Sequence, residues 1–240
     1  MGKIIERAVD PHQYDLEDLN WNGYNSSSFN EKLFYKILMK QIKSWKNKSV
    51  LEIGAGSGWL IDLALKGGAK IAEGIEPSKK NMLLAKEIYK DLLIHNDTIE
   101  NFKTNAKYDL IISIMAFSHI KNVPQIFGKI KPMLNKNGKL IIIVPDYDYT
   151  KTPRSGYKIE QEELNSEEYA VKIKRIFGVL ADIVRKTSYY ERMAKDAGLK
   201  MTSEIPLCPS KDALKVNPRY KNLEKTTMHQ LLIFQEKNEL

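Results

Sequence analysis

A single cysteine, Cys208, occurs among 240 residues. That excludes an internal disulfide framework and any zinc cluster built from several cysteines. Flanked by Pro206 and Pro209, the thiol reads as structural rather than nucleophilic. No run of eighteen apolar residues occurs, so no membrane span or membrane partner is expected. The amino terminus lacks the charged-then-apolar pattern of a secretory signal. Position 6 is a glutamate, where a myristoylation signal needs serine or threonine. These absences lead to the expectation of a cytoplasmic protein. Repeats and low-complexity linkers are also missing. No Gly-Lys-Ser or Gly-Lys-Thr closes a glycine loop, which argues against a phosphate-binding P-loop. What remains is long enough to bury a full core as one α/β unit.

The net charge is +8, from 38 Lys and Arg against 30 Asp and Glu. A basic balance raises the possibility of a nucleic-acid partner. The bases are mostly lysines scattered among acids, which favours a solvated surface. The densest group is Lys211, Lys215, Arg219, Lys221 and Lys225, with only Tyr220 interleaved as a stacking aromatic.

The most informative stretch is Ser49-Val50-Leu51-Glu52-Ile53-Gly54-Ala55-Gly56-Ser57-Gly58-Trp59-Leu60. A short apolar run ends in an acid, a glycine-spaced loop follows, and helix-like sequence comes next. Alternating glycines let the backbone turn sharply and let a ligand approach without Cβ collisions. A dinucleotide fingerprint needs its third glycine where Trp59 stands. Glu52 would repel a pyrophosphate but suits a cationic group. Glu-x-Gly-x-Gly-x-Gly resembles motif I of the class I S-adenosylmethionine-dependent methyltransferases, whose cofactor carries a sulfonium and an ammonium.

Later segments keep the resemblance going over roughly residues 45 to 235, most strongly from Val50 to Val144. Trp59 to Lys66 reads as a helix stopped by Gly67-Gly68. Ala69 to Ile75 reads as a strand ending at Glu76-Pro77, about 20 residues past the loop, the spacing of one strand–helix–strand step. There Glu76 is expected to accept both ribose hydroxyls. Leu92 to His95 reads as a third strand, followed by Asp97, Thr98 and Ile99. The resemblance implies that Asp97 meets the adenine amino group and Ile99 covers the ring. Tyr108 to Ile114 is a nearly continuous apolar run, the mark of a strand buried on both faces. The resemblance gives the backbone carbonyl of Ser113 to the methionyl ammonium. The cofactor-binding set is therefore Glu52, Gly54, Ala55, Gly56, Gly58, Glu76, Pro77, Asp97, Thr98, Ile99 and Ser113.

An apolar helix through Ile126, Phe127, Ile130, Met133 and Leu134 leads to a fifth strand, Lys139 to Val144. Ser188 is placed to cap a helix from Tyr189 to Ala197. Strands Leu199 to Ile205 and Met228 to Phe234 complete the pattern. Strands alternating with helices imply a doubly wound, mostly parallel sheet. The resemblance implies a Rossmann-like sheet of seven strands with the last one antiparallel. To it are added a helical cap over residues 1–44 and, within the 45–240 catalytic domain, a helical lid over about 145–188. In the cap, Ser28-Phe29-Asn30-Glu31 is a capping-box pattern, with Leu33, Ile37 and Leu38 on the face that follows. His12, Tyr14, Trp21 and Tyr24 lie in or before it as candidates to cover the cofactor. In the lid, Ser166 is placed to cap a helix with Tyr169, Ile173, Ile176, Phe177, Leu180 and Ile183 on one face.

Methyl transfer is an in-line displacement that aligns the acceptor and sometimes removes a proton. His119, after the fourth strand, is the expected general base, since imidazole ordinarily titrates near neutrality. Tyr147 and Asp146, off the fifth strand, are expected to orient the acceptor. Asp146 and Asp148 alternate without the family's metal pattern, so no metal is expected. The absence of Asn-Pro-Pro-Tyr or Asp-Pro-Pro-Tyr disfavours adenine methylation, and the lack of a second cysteine disfavours RNA cytosine-C5 methylation. The leading expectation is a methyltransferase acting on an oxygen or nitrogen of a small molecule. A tRNA or rRNA methyltransferase and a non-catalytic cofactor-binding regulator are the alternatives.

Overall fold

Apolar runs become strands here where helices can cover both faces. A computed structural model of the chain describes residues 3–16, 31–153, 157–175, 178–209 and 222–237. Its strands are β1 (Ser49–Ile53), β2 (Ile71–Ile75), β3 (Leu93–His95), β4 (Tyr108–Ile114), β5 (Leu134–Pro145), β6 (Lys158–Glu163), β7 (Glu168–Arg175), β8 (Gly178–Arg185), β9 (Leu199–Leu207) and β10 (His229–Glu236). Its helices are α1 (Ile4–Ala8), α2 (Gln13–Leu16), α3 (Lys36–Ile42), α4 (Trp59–Lys66), α5 (Lys79–Ile88), α6 (Val123–Ile130), α7 (Tyr147–Lys151) and α8 (Thr187–Asp196).

The main sheet has the order β3-β2-β1-β4-β5-β10-β9. Neighbours from β3 to β5 pair in parallel, and β10 runs antiparallel to both β5 and β9. Two apolar layers cover it. One gathers Phe117, Phe127, Tyr190 and Phe234 around Ile111 and Ile142. The other gathers Leu38, Trp45, Trp59 and Leu60 around Ile112 and Ile141. Ile111, Ile112, Ile141 and Ile142 are fully buried, each worth roughly 1.5–3 kcal/mol of burial. None of the helices formed by described residues is long and apolar enough to cross a membrane.

Several boundaries differ from the sequence expectation. β2 starts at Ile71 and β3 at Leu93, while β9 runs on to Leu207 and β10 spans His229 to Glu236. α6 stops at Ile130, and a 3-10 turn, Lys131–Met133, takes over at Pro132. Proline has no N–H to continue an α-helix. α8 begins at Thr187 with Lys186 in the cap position, and Ser188 Oγ instead donates to Glu167 Oε1 at 2.9 Å.

The expected helical lid is the main correction. The segment after β5 holds the short helix α7 and then an antiparallel sheet, β6-β7-β8. Tyr169 and Ile173 lie four residues apart, a spacing that fits a helix face and also period two. β7 buries Tyr169, Val171 and Ile173 on one face, the strand alternation. Its β-branched and aromatic residues favour that choice. Ser166 therefore caps no helix. α1 packs on this small sheet, with Ala8 against Ala181 and Ile183. Ile176, Phe177, Trp21, Tyr24, Ser28, Phe29, Asn30 and the lysines from 211 to 221 lie outside the described residues. Glu31–Tyr35 forms a π-helical turn leading into α3.

Candidate functional site

Because β1 to β5 are parallel, the segments that follow them all emerge at one edge of the sheet. The Gly54–Gly58 loop leaves β1 there. Gly54, Gly56 and Gly58 have φ of 77°, 53° and 78°, the left-handed region in which side chains are strained. A Cβ on Gly54 would lie 2.4 Å from Ala116 Cβ, and one on Gly58 2.7 Å from Leu92 Cδ1. A Cβ on Gly56 would meet nothing within 4 Å. Gly54 is thus required by packing, Gly58 sits in its left-handed conformation close against the Leu92 side chain, and Gly56 faces open space. The Gly54 and Ala55 N–H groups donate to Ile75 O at 2.8 and 3.0 Å, tying the loop to the end of β2.

Glu76 follows β2 and is buried. Its Oε2 accepts the Gly56 N–H at 2.7 Å, and its Oε1 accepts the Ser78 N–H at 3.0 Å and Asn81 Nδ2 at 3.4 Å. Of the roughly four acceptor sites on a carboxylate, three are engaged by the protein. A ribose must therefore displace the long Asn81 contact to bind in the two-pronged way expected of Glu76. Pro77 O and Glu76 O both accept from Asn96 Nδ2 at 2.9 Å, a clamp that sequence reasoning missed. Asp97 is half-buried, its Oδ1 accepting the Thr98 N–H at 2.8 Å, and Ile99 is buried in the core beside Phe102. Ser113 pairs with Ile53 across β1 and β4, and its hydroxyl donates to Ile53 O at 3.0 Å.

Glu52 is 2% exposed, and its Oε2 has no hydrogen-bond partner among the described residues. Burial pushes its carboxyl pKa well up, and the nearby Glu76 charge adds to this. Burial also raises Glu76, against the pull of the Gly56 and Ser78 amides and Asn81. Two buried acids beside a glycine loop form a site that a cation would stabilise. The open side of Gly56 and the unpartnered Glu52 oxygen thus fit a ligand bearing positive charge.

The raised pKa values have a direct consequence. Just above the ordinary range near 4.5, the unfolded chain has lost these protons while the folded chain still holds part of them, Glu52 over the wider span of pH. Stability therefore falls as pH rises above that range, until the folded groups ionise too. Glu52→Gln, an isostere of the protonated acid, is expected to melt at higher temperature than the unaltered chain at neutral pH. The gap should close in acid; thermal melts across that range check it, and an equal gap at all pH values would refute the linkage.

After β4, Met115 takes a left-handed φ of 65° and starts a four-residue 3-10 turn, Ala116–His119. Ala116 abuts Gly54, so His119 lies just beyond the loop. His119 Nδ1 is 3.1 Å from Ala8 O and 3.0 Å from Gln13 Nε2. Its Nε2 is 3.0 Å from Tyr14 Oη and 3.5 Å from Asp182 Oδ1. Each ring nitrogen thus faces both a donor and an acceptor. Gln13 also spans to Ala181, accepting its N–H at 3.2 Å and donating to its carbonyl at 3.3 Å. Asp15 Oδ1 accepts from Ser78 Oγ at 2.7 Å and Lys80 N–H at 3.0 Å. α2 thus bridges the small sheet, His119 and the start of α5. Tyr14 was among the sequence candidates, whereas Gln13, Asp15 and Asp182 were not. A lone acid in Val179-Leu180-Ala181-Asp182-Ile183-Val184 was a signal that could have been read.

Tyr147 stacks edge-on against Tyr169 at 5.0 Å, under the ammonium groups of Lys151 and Lys186. Asp146 caps α7 through the Tyr149 N–H at 2.9 Å and accepts from Gln230 Nε2 at 2.8 Å. These contacts give Asp146 a structural task. No group of three or more His, Cys, Asp or Glu suited to a metal occurs among the described residues.

A model described as a methyltransferase domain matches residues 29–204. A ubiquinone biosynthesis O-methyltransferase of Pelagibacter ubique is 31% identical over 147 residues, 59% of this chain and 60% of that protein. A tRNA U34 carboxymethyltransferase of Ruthia magnifica is 29% identical over 154 residues, 59% of this chain and 45% of that protein. The solved S-adenosylmethionine-dependent methyltransferase of Mesorhizobium loti aligns with a TM-score of 0.67 at 15% identity, over 86% of this chain and 99% of that one. At that identity the likeness is one of fold. The matches span 48% to 60% of the length of the first curated relatives.

Proposed function

The chain belongs to the methyltransferase-domain family, and from that premise we propose that it is a methyltransferase using S-adenosylmethionine to methylate an oxygen or nitrogen of a small molecule. The observation that carries this reading is the left-handed glycine loop, open at Gly56 and flanked by the buried acids Glu52 and Glu76. When bound, the cofactor supplies an electrophilic methyl on a sulfonium. The chain's own groups do the rest. The loop backbone admits the methionyl part, with Glu52 and the Ser113 carbonyl toward its cationic end. Glu76 takes the ribose, while Asp97 and Ile99 take the adenine. His119, steadied by Tyr14 and Asp182, removes the acceptor's proton. Residues 1–44 act as a cap, residues 45–240 as the catalytic domain, and the 145–188 insertion as its lid.

Calorimetry with S-adenosylhomocysteine tests the cofactor assignment. Glu76→Ala should weaken binding by roughly 1.5–3 kcal/mol for each charge-assisted hydrogen bond lost. A loss well under about 0.5 kcal/mol would reduce Glu76 to a local brace.

RNA methylation is the second reading, favoured by the +8 charge and the tRNA-modifying relative. If the small-molecule reading holds, RNA affinity should be non-specific and drop steeply with added salt. A tight, sequence-selective RNA complex at physiological salt would reverse the order. Cofactor binding without transfer to any acceptor would favour a regulatory protein.

A further inference from the structure

Arg185 ends β8 and is 2% exposed, yet only one of its three nitrogens meets an acid. Its Nε donates to Glu168 Oε1 at 2.6 Å, across the β7–β8 register. Its Nη1 donates to Phe117 O at 3.1 Å and its Nη2 to Ile120 O at 2.9 Å. Those two carbonyls bracket Ser118 and His119. The turn they grip, one from within and one just past its end, is four residues long and starts from a left-handed Met115, so local propensity does little to hold it. Three residues earlier on β8, Asp182 faces the His119 ring.

We infer that Arg185 is a positioning residue: it fixes the Ala116–His119 turn, making the small sheet a brace for His119 as well as a cover. The inference rests on the reading of His119 as the acceptor-side base. A planar guanidinium can reach one carboxylate and two carbonyls in fixed directions, whereas a lysine ammonium offers a single centre. Glu168 aims the fork from the neighbouring strand, and the Tyr189 ring lies 5.4 Å from it. The β7–β8 pair is thereby coupled to a turn more than sixty residues earlier in the chain.

The test uses the full chain labelled with ¹⁵N-histidine. Only four imidazoles contribute, from His12, His95, His119 and His229. The His119 signals are those missing from His119→Asn. Arg185→Lys should shift or broaden the His119 ring signals, leave the other three in place, and bind S-adenosylhomocysteine as tightly as the unaltered chain. Ile173→Ala loosens the same small sheet without touching the guanidinium, and should lower the melting temperature with His119 unmoved. Unchanged His119 signals in folded Arg185→Lys, or equal shifts in Ile173→Ala, would overturn the inference. If Arg185→Lys does not fold, Glu168→Gln keeps an acceptor oxygen but removes its charge. A smaller shift of the same signals then supports the inference, and none overturns it. Failure of the unaltered chain to bind S-adenosylhomocysteine would strike the methyltransferase reading instead, independently of these shifts.

Discussion

Replacing Gly56 by valine is expected to abolish measurable S-adenosylhomocysteine binding while leaving the chain folded. Gly56 has a φ of 53°, and a Cβ there meets nothing within 4 Å, so packing alone tolerates a side chain. Backbone conformation does not. Left-handed φ in a β-branched residue is strained by about 1–3 kcal/mol, and the free loop relieves it by changing shape. Binding must then restore the strained loop and also fit a ligand against two new methyl groups. The strain alone predicts a loss of about tenfold to a hundredfold in affinity, and the steric conflict adds to it. Calorimetry on both proteins, with far-ultraviolet circular dichroism to establish folding, decides the matter. Unchanged affinity in a folded variant would remove the loop from the binding site.

His119→Ala should act on the other half of the reaction. If the imidazole takes the acceptor's proton, turnover should drop by about 10²–10⁴ with S-adenosylhomocysteine affinity intact. The pH–rate profile should then lose one limb. If His119 only orients the acceptor, the loss is smaller and independent of pH. Tyr14→Phe, which removes a hydroxyl 3.0 Å from His119 Nε2, should lower turnover less. Tyr147→Phe, in a ring stacked on Tyr169, should lower it less again. Poor cofactor binding with normal turnover at saturation in His119→Ala would refute the division between the two halves of the site.

The strands of the main sheet were legible because their signals are local, whereas the antiparallel last strand was implied by the family resemblance. Tyr108 to Ile114 reads as a strand and forms one over the same residues, as an apolar run between polar flanks. The helix from Trp59 to Lys66 is bounded by Gly58 and Gly67 in the sequence and in the structure. The small sheet was misread because Tyr169 and Ile173 satisfy two periods at once, and only their pairing with distant strands decides between them. The site divides the same way. Glycines and strand-end acids announce themselves by spacing. Asp182, Arg185 and Gln13 matter through contacts more than sixty residues away; a lone acid in an apolar stretch marks Asp182 locally, but no local pattern names the partners of the three.

Transfer of tritium from methyl-labelled S-adenosylmethionine tests the central claim most directly. The full chain is incubated with the labelled cofactor and, in parallel, with a small-molecule extract or with total RNA. The account predicts label in the small-molecule fraction, reduced by His119→Ala and by Gly56→Val, with RNA at background. Label confined to RNA, or to no acceptor at all despite cofactor binding, would contradict it.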